Sequence, residues 1–123
     1  MKIDLNENNT IYYVTFDNNK NILITSLKFI RNEISYDDAE GLFMEVNYIF
    51  ETNRQLRTNG NDDLTKCEGY IISKSTLNKC FNKVSYLTKH SYSTYCDKEF
   101  LIKLITAITN DNLNEFVKEN MYD

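Results

Sequence analysis

A thiol and an imidazole are the side chains of this sequence best suited to covalent chemistry. The single histidine, His90, lies six residues before Cys96, and Asp97 follows directly. A helix N-terminus lowers the pKa of a thiol, and an imidazole can act as its base. The carboxylate of Asp97 opposes thiolate formation, however, and no glycine-rich turn nearby could build an oxyanion site. We therefore expect a protein that is not an enzyme, with cysteine chemistry at Cys96 and His90 as the alternative.

Metal and cofactor sites have little support in the residue spacing. A zinc site would need His90 together with Cys67, Cys80 and Cys96, which show no CxxC pair. The segment NGNDD at residues 59–63 has two adjacent carboxylates but lacks the alternating ligands and distal Glu of a calcium loop. The three glycines form neither GxGxxG nor a P-loop. We expect no metal and no cofactor.

Length and composition narrow the class of protein. The chain has 123 residues and a net charge of −4, which favours one globular domain over residues 1–123. No apolar run approaches the roughly 20 residues of a membrane span, and the start MKIDLNENN does not resemble a signal peptide. We expect a cytoplasmic protein with reduced thiols. The sequence has 17 Asn and 12 Ile but 2 Ala and no Pro, which is typical of a low-GC genome.

The N-terminal quarter has the pattern of a β-hairpin. Residues 10–16 (TIYYVTF) and 21–30 (NILITSLKFI) are rich in β-branched and aromatic side chains. The intervening Asp17-Asn18-Asn19-Lys20 consists largely of residues that tolerate left-handed backbone. Alternation in residues 1–5 predicts an additional edge strand.

The segment after the hairpin has the apolar spacing of a long helix. Ser35 and Asp38 fit a capping box, and Asn59-Gly60 is a stop signal. Between them, apolar residues recur at spacings typical of one helix face. They are Ala39, Leu42, Phe43, Val46, Ile49 and Phe50.

The second half of the chain predicts one more strand and three further helices. A polar loop at 59–68 leads to a short strand at 70–73 (YIIS), and Ser73 or Ser75 caps a helix with Leu77, Cys80, Phe81, Val84 and Leu87 on its apolar face. Residues 90–95 form a loop or short strand, Asp97 caps the next helix, and Asn110-Asp111 separates it from the last. The predicted fold is α+β, a small antiparallel sheet packed with about four helices.

An acidic face on the first predicted helix is the main functional candidate. At about 100° per residue, six residues fall within one arc opposite the apolar face. They are Asp37, Glu40, Met44, Asn47, Tyr48 and Glu51. Met and Tyr among carboxylates favour a protein interface, and the acids suit a basic partner. The alternative is that both residues pack inside the domain.

A basic stripe on the second predicted helix is the other candidate. Lys79, Lys83, Tyr86 and Lys89 lie opposite its apolar face, where they could bind phosphates and stack a base. The net negative charge and the presence of only three Arg residues make nucleic acid a less suitable partner.

These features together favour an inhibitor that binds another protein. The nearest physical class is an immunity protein that neutralises a basic, nuclease-type toxin by occluding it. The alternatives are a phage or viral antagonist of a host defence protein, and a nucleic-acid or anionic-ligand binder. The residues leave the oligomeric state and the identity of the partner open.

Overall fold

The computed structural model describes residues 5–6, 9–37, 43–58 and 61–122. Four strands precede the first helix, and two shorter strands lie between the first and second helices. The strands are β1 (Thr10–Asp17), β2 (Ile22–Asp37), β3 (Phe43–Thr58), β4 (Asn61–Ser73), β5 (Ser85–Tyr86) and β6 (Ser91–Cys96). The helices are α1 (Lys74–Cys80), α2 (Lys98–Thr109) and α3 (Leu113–Asn120).

The described residues form mostly antiparallel sheet, which corrects the predicted fold. The sheet contains six strands in the order β4-β3-β2-β1-β6-β5, and the three helices have 7, 12 and 8 residues. A small sheet packed with about four helices is therefore wrong.

The predicted first helix is replaced by the end of β2 and by β3. Tyr48, Ile49 and Phe50 are consecutive and all at most 4% exposed, so both faces of β3 are covered at this point. A strand buried on both faces has an unbroken apolar run, and such a run can mimic helical spacing. The β-branched and aromatic side chains of this segment also favour the strand.

Three predictions for the segments that follow it are corrected as well. Residues 61–68, expected in a polar loop, belong to β4, and the predicted strand 70–73 is only the end of that strand. The second predicted helix ends at Cys80, where Asn82 adopts a left-handed φ of 56°. The expected edge strand at residues 1–5 lies largely outside the described residues, and Leu5 is not in a strand.

The N-terminal hairpin is confirmed, including its turn. Oδ1 of Asp17 accepts hydrogen bonds from the backbone N–H of Asn19 and Asn21, at 2.8 and 3.1 Å. The Asn21 side chain donates to Oδ2 of the same carboxylate, and this bond holds the pKa of Asp17 below its usual value. The left-handed residue is Lys20, with φ of 67°, rather than either asparagine.

The chain divides into two compact units, and the first contains residues 11–25 and 80–123. Here β6 pairs with β1 from Tyr12↔Cys96 to Asp17↔Ser91, and β5 pairs with the other side of β6. Alternate residues of these strands face α2 and α3 across an apolar core. The fully buried members of this core are Val14, Val84, Cys96 and Leu104.

The N-terminus of α2 is built as the sequence predicts. Oδ1 of Asp97 accepts the N–H of Phe100 at 2.8 Å, which is an N-cap bond. Asn82 holds Asp97 in place, because its side chain accepts the Asp97 N–H and donates to Oδ2, both at 3.1 Å. Asn110 ends the helix, as predicted.

The second unit contains residues 2–10 and 26–79. In it β3 pairs with β2 and with β4, and bulges interrupt the ladders between Phe29 and Arg31 and between Phe50 and Glu51. Phe50 lies at the centre of an aromatic cluster with Phe29, Tyr48 and Tyr70. The predicted cap of α1 is confirmed, since Oγ of Ser73 accepts the Thr76 N–H at 3.2 Å.

Candidate functional site

The strands β2 and β3 present an exposed apolar cluster near the end of their hairpin. Tyr36 pairs with Met44 and Ile34 with Val46, so these side chains share one face of the sheet. Ile34, Tyr36 and Met44 are 52%, 62% and 58% exposed, and we call these three residues the hairpin cluster. Large apolar side chains grouped in solvent are typical of a binding surface.

The same face becomes buried farther along β3. Tyr48 is two residues beyond Val46 and is only 4% exposed, with its ring edge-on to Phe29 at 5.5 Å between centroids. The apolar face therefore extends continuously from the aromatic core of this unit into solvent. Since the core fixes the position of Tyr48, the hairpin cluster sits on a strand that is anchored at one end.

The opposite face of this hairpin is polar. Arg31 and Glu33 form an ion pair with an N–O distance of 2.9 Å, and Asn47 donates to Oγ of Ser35 at 3.1 Å. Glu45 is half-buried and lies two residues before Asn47 on β3. The hairpin thus has one apolar face and one face of hydrogen-bonding groups.

The charge of this segment has a single sign. Residues 32–52 contain six acidic residues and no basic ones. They are Glu33, Asp37, Asp38, Glu40, Glu45 and Glu51. A segment of this kind attracts cationic surfaces and repels anionic ones.

A shallow cleft adjoins the hairpin cluster within the same unit. It has a volume of about 410 Å³ and is lined by Met44, Glu45 and Val46 from β3 and by Lys74, Ser75 and Asn78 from α1. Met44 therefore borders both the exposed strand face and a depression that a partner side chain could enter.

The structure separates the six residues predicted to form the acidic docking face. Met44 is exposed, as that prediction requires, whereas Tyr48 is buried and cannot contact a partner in this state. Asn47 lies on the polar face, and Glu51 is half-buried opposite Lys28. Glu40 and the side chain of Asp37 lie outside the described residues. The helical arc that grouped them does not exist.

Ile34 and Tyr36 are the candidate residues that the sequence analysis missed. The segment Glu33-Ile34-Ser35-Tyr36 alternates polar and apolar side chains, which is the period of a strand with one apolar face. Ser35 was interpreted as part of a capping box, and the resulting helix prediction did not take this alternation into account.

The four residues of the basic stripe do not share a helix. Lys79 is in α1, Lys83 follows the end of that helix, Tyr86 is in β5, and Lys89 lies in the turn before β6. Tyr86 is 66% exposed, with its ring 5.5 Å from that of Tyr92. The periodic face that favoured phosphate binding is therefore absent.

The environment of Cys96 opposes nucleophilic chemistry. The side chain is fully buried, and burial, with a smaller contribution from the charge of Asp97, raises the pKa of the thiol to about 12. His90 is exposed in the turn before β6, with its backbone N–H bonded to Oγ1 of Thr88. Within the described ranges, no group of three His, Cys, Asp or Glu residues could hold a metal ion.

Comparison of the chain with protein-family models, curated proteins and solved structures found no match. Across the part of the chain that the structure describes, no helix has the length and apolar character needed to cross a membrane.

Proposed function

We propose that this protein is an inhibitor that docks onto a basic protein partner through the β2–β3 hairpin. The partner class that fits best is a cationic, nuclease-type toxin, which the protein would neutralise by occlusion, as an immunity protein does. The observation that carries the proposal is the hairpin cluster of Ile34, Tyr36 and Met44 within a segment of six acids and no bases.

The two features have separate physical roles. Negative charge on the hairpin accelerates encounter with a cationic cleft, because electrostatic steering raises association rates. Exposed Tyr and Met side chains supply apolar area whose burial slows dissociation, and aromatic anchors commonly dominate interface energetics. The cleft beside Met44 offers a complementary pocket for a side chain of the partner.

The proposal places the protein in the cytosol, where its three cysteines stay reduced. An antagonist of a host defence protein, encoded by a phage or virus, would use the same surface chemistry. Gene neighbourhood separates the two, since an adjacent toxin gene supports the immunity role and adjacent phage structural genes support the antagonist.

The test is protection of cells from the product of the neighbouring gene, combined with direct binding of the two purified proteins. We expect the wild-type chain to protect, and the double variant Tyr36→Ala/Met44→Ala to weaken binding at least about tenfold. Tyr86→Ala is the matched control, because Tyr86 is similarly exposed but lies in the other unit.

Either of two results would contradict the proposal. One is that the wild-type chain neither binds nor protects. The other is that the double variant, shown to be folded by its melting temperature, binds as tightly as the control.

A further inference from the structure

The strand β3 continues past the end of its neighbour β4. The pairing of β3 with β4 ends at Asn47↔Ser73, whereas its pairing with β2 on the other side continues to Asp37↔Phe43. Among the described residues, the backbone of residues 43–46 has no hydrogen-bonding partner other than β2. This stretch is therefore a short open edge of the sheet.

The sequence prevents β4 from covering this edge. Oγ of Ser73 accepts the Thr76 N–H at 3.2 Å, and the chain turns into α1 at Lys74. A helix makes its backbone hydrogen bonds within itself, so α1 leaves the edge of β3 unpaired. The open edge is thus a consequence of the cap that starts the helix.

The cleft between β3 and α1 lies along this edge. Three consecutive residues of β3 form one of its walls, although successive side chains of a strand point to opposite faces of the sheet. Consecutive residues share a wall where the wall is the backbone edge itself. We call this cleft the edge slot; its lining is Met44, Glu45, Val46, Lys74, Ser75 and Asn78.

An open strand edge is chemically specific for another extended backbone. Its N–H and C=O groups repeat every second residue, about 7 Å apart, and a second strand offers the complementary groups at the same interval. Peptides that add a strand to a sheet bind in this way. The occupant that fits the edge slot is therefore an extended polypeptide segment.

The side chains beside the edge define the sequence of that segment. Met44 and Val46 lie on the apolar face of β3, and Glu45 lies on the polar face. An added strand would place apolar side chains beside the first two residues and one side chain of opposite charge beside Glu45. The acidic character of residues 32–52 favours the same cation. Lys74 is exposed, so its flexible side chain can turn to solvent.

We propose that the edge slot receives an extended segment of the partner with an apolar-basic-apolar pattern, which adds a strand to β3. The inference rests on the proposed function, because it states how the basic partner is held by the same hairpin. The slot binds the backbone of the partner, and the adjacent hairpin cluster contacts its apolar side chains.

An NMR titration of the full chain with a capped heptapeptide tests the slot directly. The peptide has valine-lysine-valine at its centre and serine or threonine elsewhere. We expect a dissociation constant below about 1 mM, with the backbone amides of Met44, Glu45 and Val46 shifting and exchanging more slowly. Glu45→Lys should weaken binding of this peptide at least about threefold and strengthen binding of the peptide with glutamate at its centre.

Two N-methylated peptides distinguish edge pairing from charge attraction. Each has methyl groups on alternate backbone amides, one peptide on the odd positions and the other on the even positions, and both keep the lysine. Because alternate residues of a strand bond to opposite neighbours, one methylated peptide should lose binding and the other should retain it.

A substitution in α1 blocks the slot without altering β3. Ser75 is exposed, so Ser75→Trp should fill the slot without disturbing the core and should raise the peptide dissociation constant at least about tenfold. Lys79→Trp is the matched control, since Lys79 is exposed on the same helix but does not line the slot. Melting temperatures of both variants confirm that they are folded.

The inference is overturned if millimolar peptide leaves the amides of Met44, Glu45 and Val46 unshifted, if the two methylated peptides behave alike, or if Ser75→Trp acts no differently from the control. A neighbouring gene product that binds wild type and Ser75→Trp equally would overturn it while the proposed function stands. Peptide binding in the slot, with no binding of that gene product, would support the slot and contradict the proposed function.

Discussion

At the scale of single residues, the Phe50 side chain lies at the centre of the aromatic cluster of the second unit. It is fully buried, and its ring centroid lies 5.9 Å from that of Phe29, 6.4 Å from Tyr48 and 6.5 Å from Tyr70. Removing this ring leaves a cavity bordered by three aromatic side chains.

We therefore expect Phe50→Ala to lower the free energy of unfolding by about 3–5 kcal/mol. Met44→Ala, on the same strand but 58% exposed, should change it little. Urea denaturation followed by tyrosine fluorescence measures both. Equal effects of the two substitutions would contradict the packing described here.

Cys96 gives a prediction about pH. Because the pKa of its thiol is raised from 9.0 to about 12, the folded protein retains a proton that the unfolded chain loses between these values. The unfolded state thus binds fewer protons there, and the contribution of this thiol to stability is lost as the pH rises through that range. Cys96→Val should reduce the decline in melting temperature above pH 9.

The same burial predicts slow alkylation. At pH 8, iodoacetamide should modify Cys96 in the native protein at a small fraction of its rate in the urea-unfolded chain. Mass spectrometry of the labelled peptides measures both rates. Rapid labelling of Cys96 in the native protein would instead support the alternative that Cys96 and His90 carry out cysteine chemistry.

At the scale of elements, an isolated parallel bridge in the first unit pairs Val84 with Met121. Val84 donates its N–H to the carbonyl of Asn120 at 2.8 Å, and its own carbonyl accepts the N–H of Tyr122 at 2.7 Å. This contact joins the residue before β5 to the segment after α3. Nothing in the local pattern of either segment indicates the pairing.

Tyr122→Pro should remove the second of these bonds and lower the free energy of unfolding by roughly 1–2 kcal/mol. The backbone of the preceding Met121, with φ of −64° and ψ of 137°, already suits a residue before proline. Tyr122→Ala retains the N–H and serves as the control in the same thermal denaturation. A proline variant as stable as the alanine variant would show that the bridge contributes nothing.

At the scale of the whole molecule, charge is distributed unevenly along the chain. Residues 32–63 carry a net charge of −6, and residues 64–96 carry a net charge of +4. The net charge of −4 is therefore a sum over segments of opposite sign. Under our proposal, the acidic segment determines how quickly the basic partner is captured.

The association rate should therefore fall as salt is raised from about 10 to 150 mM, since the Debye length falls from about 30 to 8 Å. Glu45→Gln should reduce that dependence, and Glu115→Gln, an exposed change of the same charge in α3, should not. Stopped-flow mixing with the partner measures the rate. An association rate that does not change with salt would show that the charge of the hairpin plays no part in recognition.

Elements that depend on local signals could be predicted from the sequence. The Asp17 turn, the Ser73 and Asp97 caps and the end of α2 at Asn110 depend on side chains that bond to backbone only a few residues away. The acidity of residues 32–52 was likewise readable from composition, whatever structure the segment adopts.

Features that depend on residues distant in the sequence could be seen only in the folded structure. Whether residues 43–58 form a helix or a strand was settled by pairing with β2 and β4, because a strand's backbone bonds are made across the sheet rather than along the chain. That pairing buried Tyr48, exposed Met44 and placed Tyr36 opposite it. Residues 44–48 alternate apolar and polar side chains as a strand does, but Phe43, Val46, Ile49 and Phe50 also have the spacing of a helix face, so apolar spacing alone could not distinguish these outcomes.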